Sequence, residues 1–207
     1  MYQKPDNDFS RQERKFARRK LLLGSSAVAG AAAIAAVGGG LALSGAHAAP
    51  ASGNGATPVK LYRLVNKDYL YLTSQSDVQK AQSQYGYKLE GVAGYVYAPN
   101  ADGSDTPPVD GTSAVYRWNN GKEHFYTADK NEKPSGYTLE GIQFFAYAQA
   151  SDLVGASFPK GYGPTAFYRL TNGTIHFYTG STQELLSAQR TYKYFVEGAG
   201  FFVLFHS

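Results

Sequence analysis

The chain has 207 residues, no cysteine, and 20 Lys/Arg against 16 Asp/Glu, a formal net charge of +4. Without cysteine, disulfides, thiolate metal sites, a Cys nucleophile and a lipidated cysteine anchor are all excluded. The positive charge means less than it suggests. Seven of the Lys/Arg and three of the Asp/Glu fall within residues 1–48, so 13 of each sign remain beyond them. No nucleic-acid or anionic-membrane surface built on net charge is expected of that neutral remainder.

Residues 1–20 are polar and basic, Leu21 to Leu43 is an Ala/Gly-rich apolar run, and Ala46-His47-Ala48 is a small-x-small step. This is the layout of a cleavable export signal over residues 1–48. Arg18-Arg19 followed by Leu21-Leu22 resembles a twin-arginine signal. Ala17 stands where Ser or Thr is usual, which keeps the general secretory route open. If uncleaved, the apolar run is long enough to serve as a membrane anchor, and it is the only membrane contact expected. The expected location is extracellular, at or near the cell surface.

Residues 49–58 read as a Gly/Ala/Pro linker, and residues 59–207 as one domain carrying 16 of the 17 tyrosines. That domain writes one pattern three times. Tyr116-Arg117-Trp118-Asn119-Asn120-Gly121 and then His124-Phe125-Tyr126-Thr127 return as Tyr168-Arg169-Leu170-Thr171-Asn172-Gly173 and His176-Phe177-Tyr178-Thr179. A worn copy begins at Tyr62-Arg63-Leu64, with Leu70-Tyr71-Leu72-Thr73 matched to His-Phe-Tyr-Thr. Each copy then reaches a Glu-Gly step: Glu90-Gly91, Glu140-Gly141 and Glu197-Gly198. The repeats run from about 59–98, 114–148 and 166–205, separated by polar Gly/Pro/Asp/Ser connectors.

Within a copy the signals predict four strands: a hairpin around Asn-Gly, then a third strand (Tyr87–Val92, Tyr137–Ile142, Tyr194–Ala199) and a fourth (Gly94–Ala98, Phe144–Ala148, Phe201–Phe205), with the glycine after each Glu taking positive φ at a bulge or tight turn between them. Short helical turns are predicted over 76–82 and 181–187, each opened by a Ser cap, with a shorter insert over 128–135 in repeat two. Three four-stranded copies predict an all-β domain, a closed β-trefoil. Three blades are too few for a propeller.

A two-residue Asn-Gly turn pairs Arg117 with His124, Tyr116 with Phe125, and Arg169 with His176; the same rule pairs Arg63 with Leu70. One face of each hairpin then carries Tyr116, Trp118 and Phe125 and is expected to be the core side. The other carries Arg117, His124 and Tyr126, or Arg169, His176 and Tyr178. These six are the candidate ligand-binding residues, a planar cation, an imidazole and a phenol side by side. The competing reading pairs Arg117 and Arg169 with Glu140 and Glu197 as a structural element.

No catalytic signature appears: there is no Gly-x-Ser-x-Gly elbow, His-Glu-x-x-His pair or phosphate-cradling loop. Glu123 and His124 are neighbours on a strand and point to opposite faces. No catalytic residue, cofactor or metal site is expected.

The order Tyr-Arg-Leu, Asn, His-Phe-Tyr-Thr, Gly-Tyr-x-x-Glu-Gly and an aromatic strand resembles the secreted repeat family known as domain of unknown function 5648. The resemblance covers about Val59 to Phe205. Copy one departs from it at Leu70-Tyr71-Leu72-Thr73, and copy three has Lys193 where Gly is usual. It implies an accessory, non-catalytic module that binds glycan or cell-envelope polymer. The Gln-x-Trp triplets of ricin-type lectins are missing. Rival readings are a protein-interaction or hydrolase-inhibitor module acting on a secreted protein through the loop 99–108, and an unrecognised secreted hydrolase.

Overall fold

A computed structural model describes residues 56–206. The expected export signal over 1–48 and most of the 49–58 linker lie outside the described residues. Among the described residues nine strands form in chain order: β1 (Val59–Val65), β2 (Tyr69–Leu72), β3 (Lys88–Val96), β4 (Ser113–Asn119), β5 (His124–Thr127), β6 (Thr138–Ala146), β7 (Tyr162–Thr171), β8 (His176–Thr179) and β9 (Phe195–His206). Helix α1 (Gln75–Tyr85) follows β2, and helix α2 (Thr182–Tyr192) follows β8. The domain is all-β apart from these inserts and one short 3-10 turn over Ala150–Leu153.

Each repeat is a three-stranded unit in which the first strand is central: β2-β1-β3, β5-β4-β6 and β8-β7-β9. The four-stranded repeat expected of a β-trefoil is thus replaced by a three-stranded one. The expected third and fourth strands are a single long strand in each copy. Of the bulge and the tight turn expected there, the bulge forms, with register shifts on either side of the position where Gly91 faces Arg63 and Gly141 faces Arg117. The glycines sit at φ +140°, +122° and +137°, as expected, and the ladder passes through them. A bulge needs one unpaired residue, whereas a turn needs the ladder to end.

The third strands of all three units touch near their C-terminal ends, through Tyr95 with Leu204, Tyr97 with Phe145, and Tyr147 with Phe202. Every pair of repeats is therefore in contact, and the units close on themselves with pseudo-threefold symmetry.

The hairpins correct the predicted register. Arg117 faces Tyr126, not His124, and Arg169 faces Tyr178, not His176. The loop is four residues long, because the Asn120 side chain accepts from the backbone of both Lys122 and Glu123 at 2.9 Å. Asn172 does the same for Thr174 and Ile175. Such an Asx-type turn satisfies two backbone donors that a tighter turn would not present. A slip of two residues leaves the faces intact, so Arg117, His124 and Tyr126 still share one. In repeat one Asn66-Lys67-Asp68 makes a shorter loop and Arg63 faces Tyr71, not Leu70. The residue matching His124 and His176 is therefore Tyr69.

Both insert helices are longer than predicted. Ser74 caps α1 by accepting from Asp77 N, and Ser181 caps α2 by accepting from Glu184 N. Each ends in a left-handed residue, Gly86 for α1 but Lys193 (φ 58°) for α2. A side chain in that region costs about 1 kcal/mol relative to glycine. Lys193→Gly is expected to raise stability by roughly 0.5–1 kcal/mol, read as an upward shift of the urea midpoint at unchanged slope.

Candidate functional site

The short strands β2, β5 and β8 are the free edges of their units, and their backbone groups point toward the pseudo-threefold axis. Side chains from the neighbouring repeat cap them. The Tyr126 hydroxyl accepts from Tyr71 N at 2.9 Å and donates to Tyr71 O at 3.3 Å. The Tyr178 hydroxyl treats Tyr126 the same way, at 2.9 and 2.8 Å, and that of Tyr71 treats Tyr178, at 3.0 and 2.7 Å. The ring closes on itself, and the three phenols pack edge to face at 5.4–5.7 Å. Burial pushes all three phenols above their ordinary pKa, so they remain donors.

A second set of contacts runs between repeats in the same sense. Asp68 of repeat one accepts from His124 N at 2.8 Å, from His124 Nδ1 at 2.7 Å and from the Tyr87 hydroxyl at 2.7 Å. Burial works to raise the Asp68 carboxyl, but these partners outweigh it and hold it below its ordinary value. Glu123 of repeat two takes the same position toward repeat three, accepting from His176 N at 2.6 Å, from His176 Nδ1 at 3.1 Å, and from the Tyr137 hydroxyl. At the third junction the acid position is Ile175 and the histidine position is Tyr69, and Tyr69 packs at a tilt against Phe177, 4.8 Å between ring centres. Acid and imidazole are lost together and replaced by an apolar pair.

The arginines form a third set. Arg63, Arg117 and Arg169 each donate Nε to the Glu of their own repeat: Glu90 at 2.7 Å, Glu140 at 2.5 Å and Glu197 at 2.8 Å. Arg63 and Arg169 also reach across a junction. Arg63 grips Glu184 of repeat three through both terminal nitrogens, at 2.9 and 2.8 Å, and Arg169 grips Glu132 of repeat two at the same distances. Thr179 and Thr127 hydroxyls hold these same glutamates, at 2.7 and 2.5 Å. Burial raises the Glu132 carboxyl, yet the hydrogen bonds from Arg169 and Thr127 carry it below its ordinary value.

Above two of these arginines the surface opens. A cleft of about 330 Å³ between repeats two and three is lined by Thr127, Glu132, Arg169, Glu197 and the Gly198-Ala199-Gly200 backbone. Its counterpart of about 280 Å³ between repeats three and one is lined by Thr179, Glu184, Arg63, Glu90, Ala93 and Phe205.

The six residues singled out from the sequence are thus brought together, but around the axis and not on an outer face. Arg117, His124, Tyr126 and Tyr178 are buried. Only Arg169 and His176 keep partial exposure, at 17% of the side chain each. The opposite face, with Trp118 and Phe125, is buried as well. Sequence reasoning missed Glu132, Glu184, Thr127 and Thr179, although a signal was there. Asp77, Glu132 and Glu184 each stand six residues after Tyr71, Tyr126 and Tyr178. Among the described residues no group of three or more His, Asp or Glu is placed to hold a metal ion, and no helix is long and apolar enough to cross a membrane.

Neither a curated protein nor a solved structure matches the chain. A family model does, over residues 40–147 and again over 104–204, each match taking in two successive repeats with repeat two shared. Together the two matches span the three repeats, and the chain belongs to the family described as Domain of unknown function (DUF5648).

Proposed function

We propose that the chain is an exported, non-catalytic binding module that holds carbohydrate or cell-wall material at the cell surface through its two open junction clefts. One observation carries this reading: the same polar cleft, open to solvent, is built twice from equivalent residues. Each offers carboxylate oxygens, the edges of a guanidinium and unshielded glycine- or alanine-lined backbone, the mixture of donors and acceptors that hydroxyl-rich ligands use. The arginines are already satisfied by two carboxylates each, which leaves little to attract an acidic polymer. The lack of net charge beyond the leader argues the same way.

The chemistry of the clefts supports holding and not turnover. In the cleft between repeats two and three, Arg169 and Thr127 hold the Glu132 carboxyl below its ordinary value, so it does not stand ready as a general acid near neutral pH. The leader-like residues 1–48 support export.

The test is co-sedimentation of the purified chain with insoluble cellulose, chitin and peptidoglycan sacculi. Saturable retention on at least one of them is expected, with a soluble polyanion failing to compete. No retention on any polymer, or complete release by the polyanion alone, would sink the proposal.

A further inference from the structure

We infer that the module is bivalent: the junctions two–three and three–one each take one unit of a repeating, hydroxyl-rich polymer, and the junction one–two takes none. This rests on the proposed binding role and specifies its valency and ligand class. The repeats are equivalent in fold but not in what fills their junctions.

At the junction one–two the arginine is sealed. Arg117 and Glu140 keep 1% and 6% of their side-chain surface, against 10% and 16% for Arg63 and Glu90, and 17% and 34% for Arg169 and Glu197. The ladder registers show which residues differ at the equivalent position. Tyr62, Tyr116 and Tyr168 face Val92, Ile142 and Ala199, so the next residues, Ala93, Gln143 and Gly200, are equivalent. Ala93 and Gly200 line the open clefts. Repeat two carries the larger Gln143 there. The hydroxyl position of Thr127 and Thr179 is Leu72 at the closed junction, and Leu72 is buried. A larger residue, a lost hydroxyl and a buried ion pair coincide at one junction of three.

Two equivalent sites on one domain fit a ligand that repeats. Engaging both on one polymer strengthens binding by 10² or more over a single site, with no new contact, when geometry allows both at once.

Repeat two itself supplies the substitution for the test. Ala93→Gln and Gly200→Gln each place its residue in an open cleft. A Cβ at Gly200 meets its nearest neighbours, Arg169 Cβ, Phe167 O and Tyr178 Cε1, at an ordinary 3.6 Å, so the fold is expected to accept it. Co-sedimentation on cellulose, chitin and sacculi is run for wild type, both single variants and the double variant, with thermal melts to confirm folding. Calorimetry with cellobiose, chitobiose and the sacculus disaccharide counts sites per chain.

The expected result is about a 100-fold loss of polymer affinity for either single variant and no retention for the double. The cognate disaccharide should titrate at two per wild-type chain and one per single variant. Folded variants that bind like wild type, or a wild-type count of one or three, overturn bivalency and leave the binding role standing. Failure of wild type on all three polymers sinks the binding role and bivalency with it.

Discussion

Arg117→Met is expected to cost about 3–5 kcal/mol, among the largest single losses this fold can suffer. The guanidinium is 1% exposed and donates to Glu140, which is 6% exposed, so removing it strands a carboxylate out of water. Breaking a buried pair from one side carries that penalty because the remaining charge must be desolvated without compensation. Glu140→Gln in the same chain removes the stranded charge and is expected to recover a good part of the loss. Arg169→Met removes the equivalent arginine where Glu132 and Glu197 keep about a third of their side-chain surface, and water replaces part of what is lost. It is expected to cost roughly 1–2 kcal/mol. Chemical denaturation of the three variants checks the order. Equal losses at positions 117 and 169 would mean that burial is not what separates the two junctions.

The threefold repetition was legible because it is written in residue identity at a near-constant spacing. Strand number was not. A glycine after Glu, flanked by aromatics, has the same local pattern whether the chain turns or bulges. The choice was made by the pairing partner: β1, β4 and β7 are long enough to run on past the glycine, so the ladder continues. The register failed for a related reason. Asn-Gly suits a two-residue turn, but Asn120 and Asn172 place their side chains on backbone donors two and three residues on, which fixes a longer loop. Repeat one hid its alignment behind a loop one residue shorter, and its histidine position was read one residue late.

The site was half legible. Arginine with the Glu of the Glu-Gly step was read as a structural pair, and the three Nε–carboxylate bonds form it. What could not be read was which face of the hairpin was solvent, because a strand with two buried faces shows no alternation to betray it. Arg117, His124 and Tyr126 look like surface chemistry and are axial packing. The clearest evidence is internal to the chain. Where Ile175 replaces the acid of Asp68 and Glu123, Tyr69 replaces the histidine of the next repeat. A pair lost together and exchanged for apolar contact serves the junction between repeats. The acids of the inserts were missed because one sits in a loop and two in helices, so no secondary-structure pattern joins them. Only their common distance from the axial tyrosine does.

That tyrosine gives the second large effect. Tyr126→Phe keeps the ring and its edge-to-face packing and removes one oxygen. The oxygen is the partner of both Tyr71 N and Tyr71 O, and Tyr71 is 1% exposed on a strand edge that no other strand covers. A buried donor left without a partner costs about 1–3 kcal/mol, and the carbonyl adds to it, so the loss is expected at roughly 2–4 kcal/mol. For a domain of this size that is roughly a 5–12 °C fall in midpoint. Because the ring is cyclic, Tyr71→Phe and Tyr178→Phe strand the same two groups on the repeat that each one caps and are expected to fall within about 1 kcal/mol of it. Tyr85→Phe, on an exposed tyrosine, is expected to change stability by less than about 0.5 kcal/mol. Scanning calorimetry of the four variants decides the matter. Three axial variants that melt like the Tyr85 control would show that the free edges meeting on the axis are closed by something other than phenol oxygens.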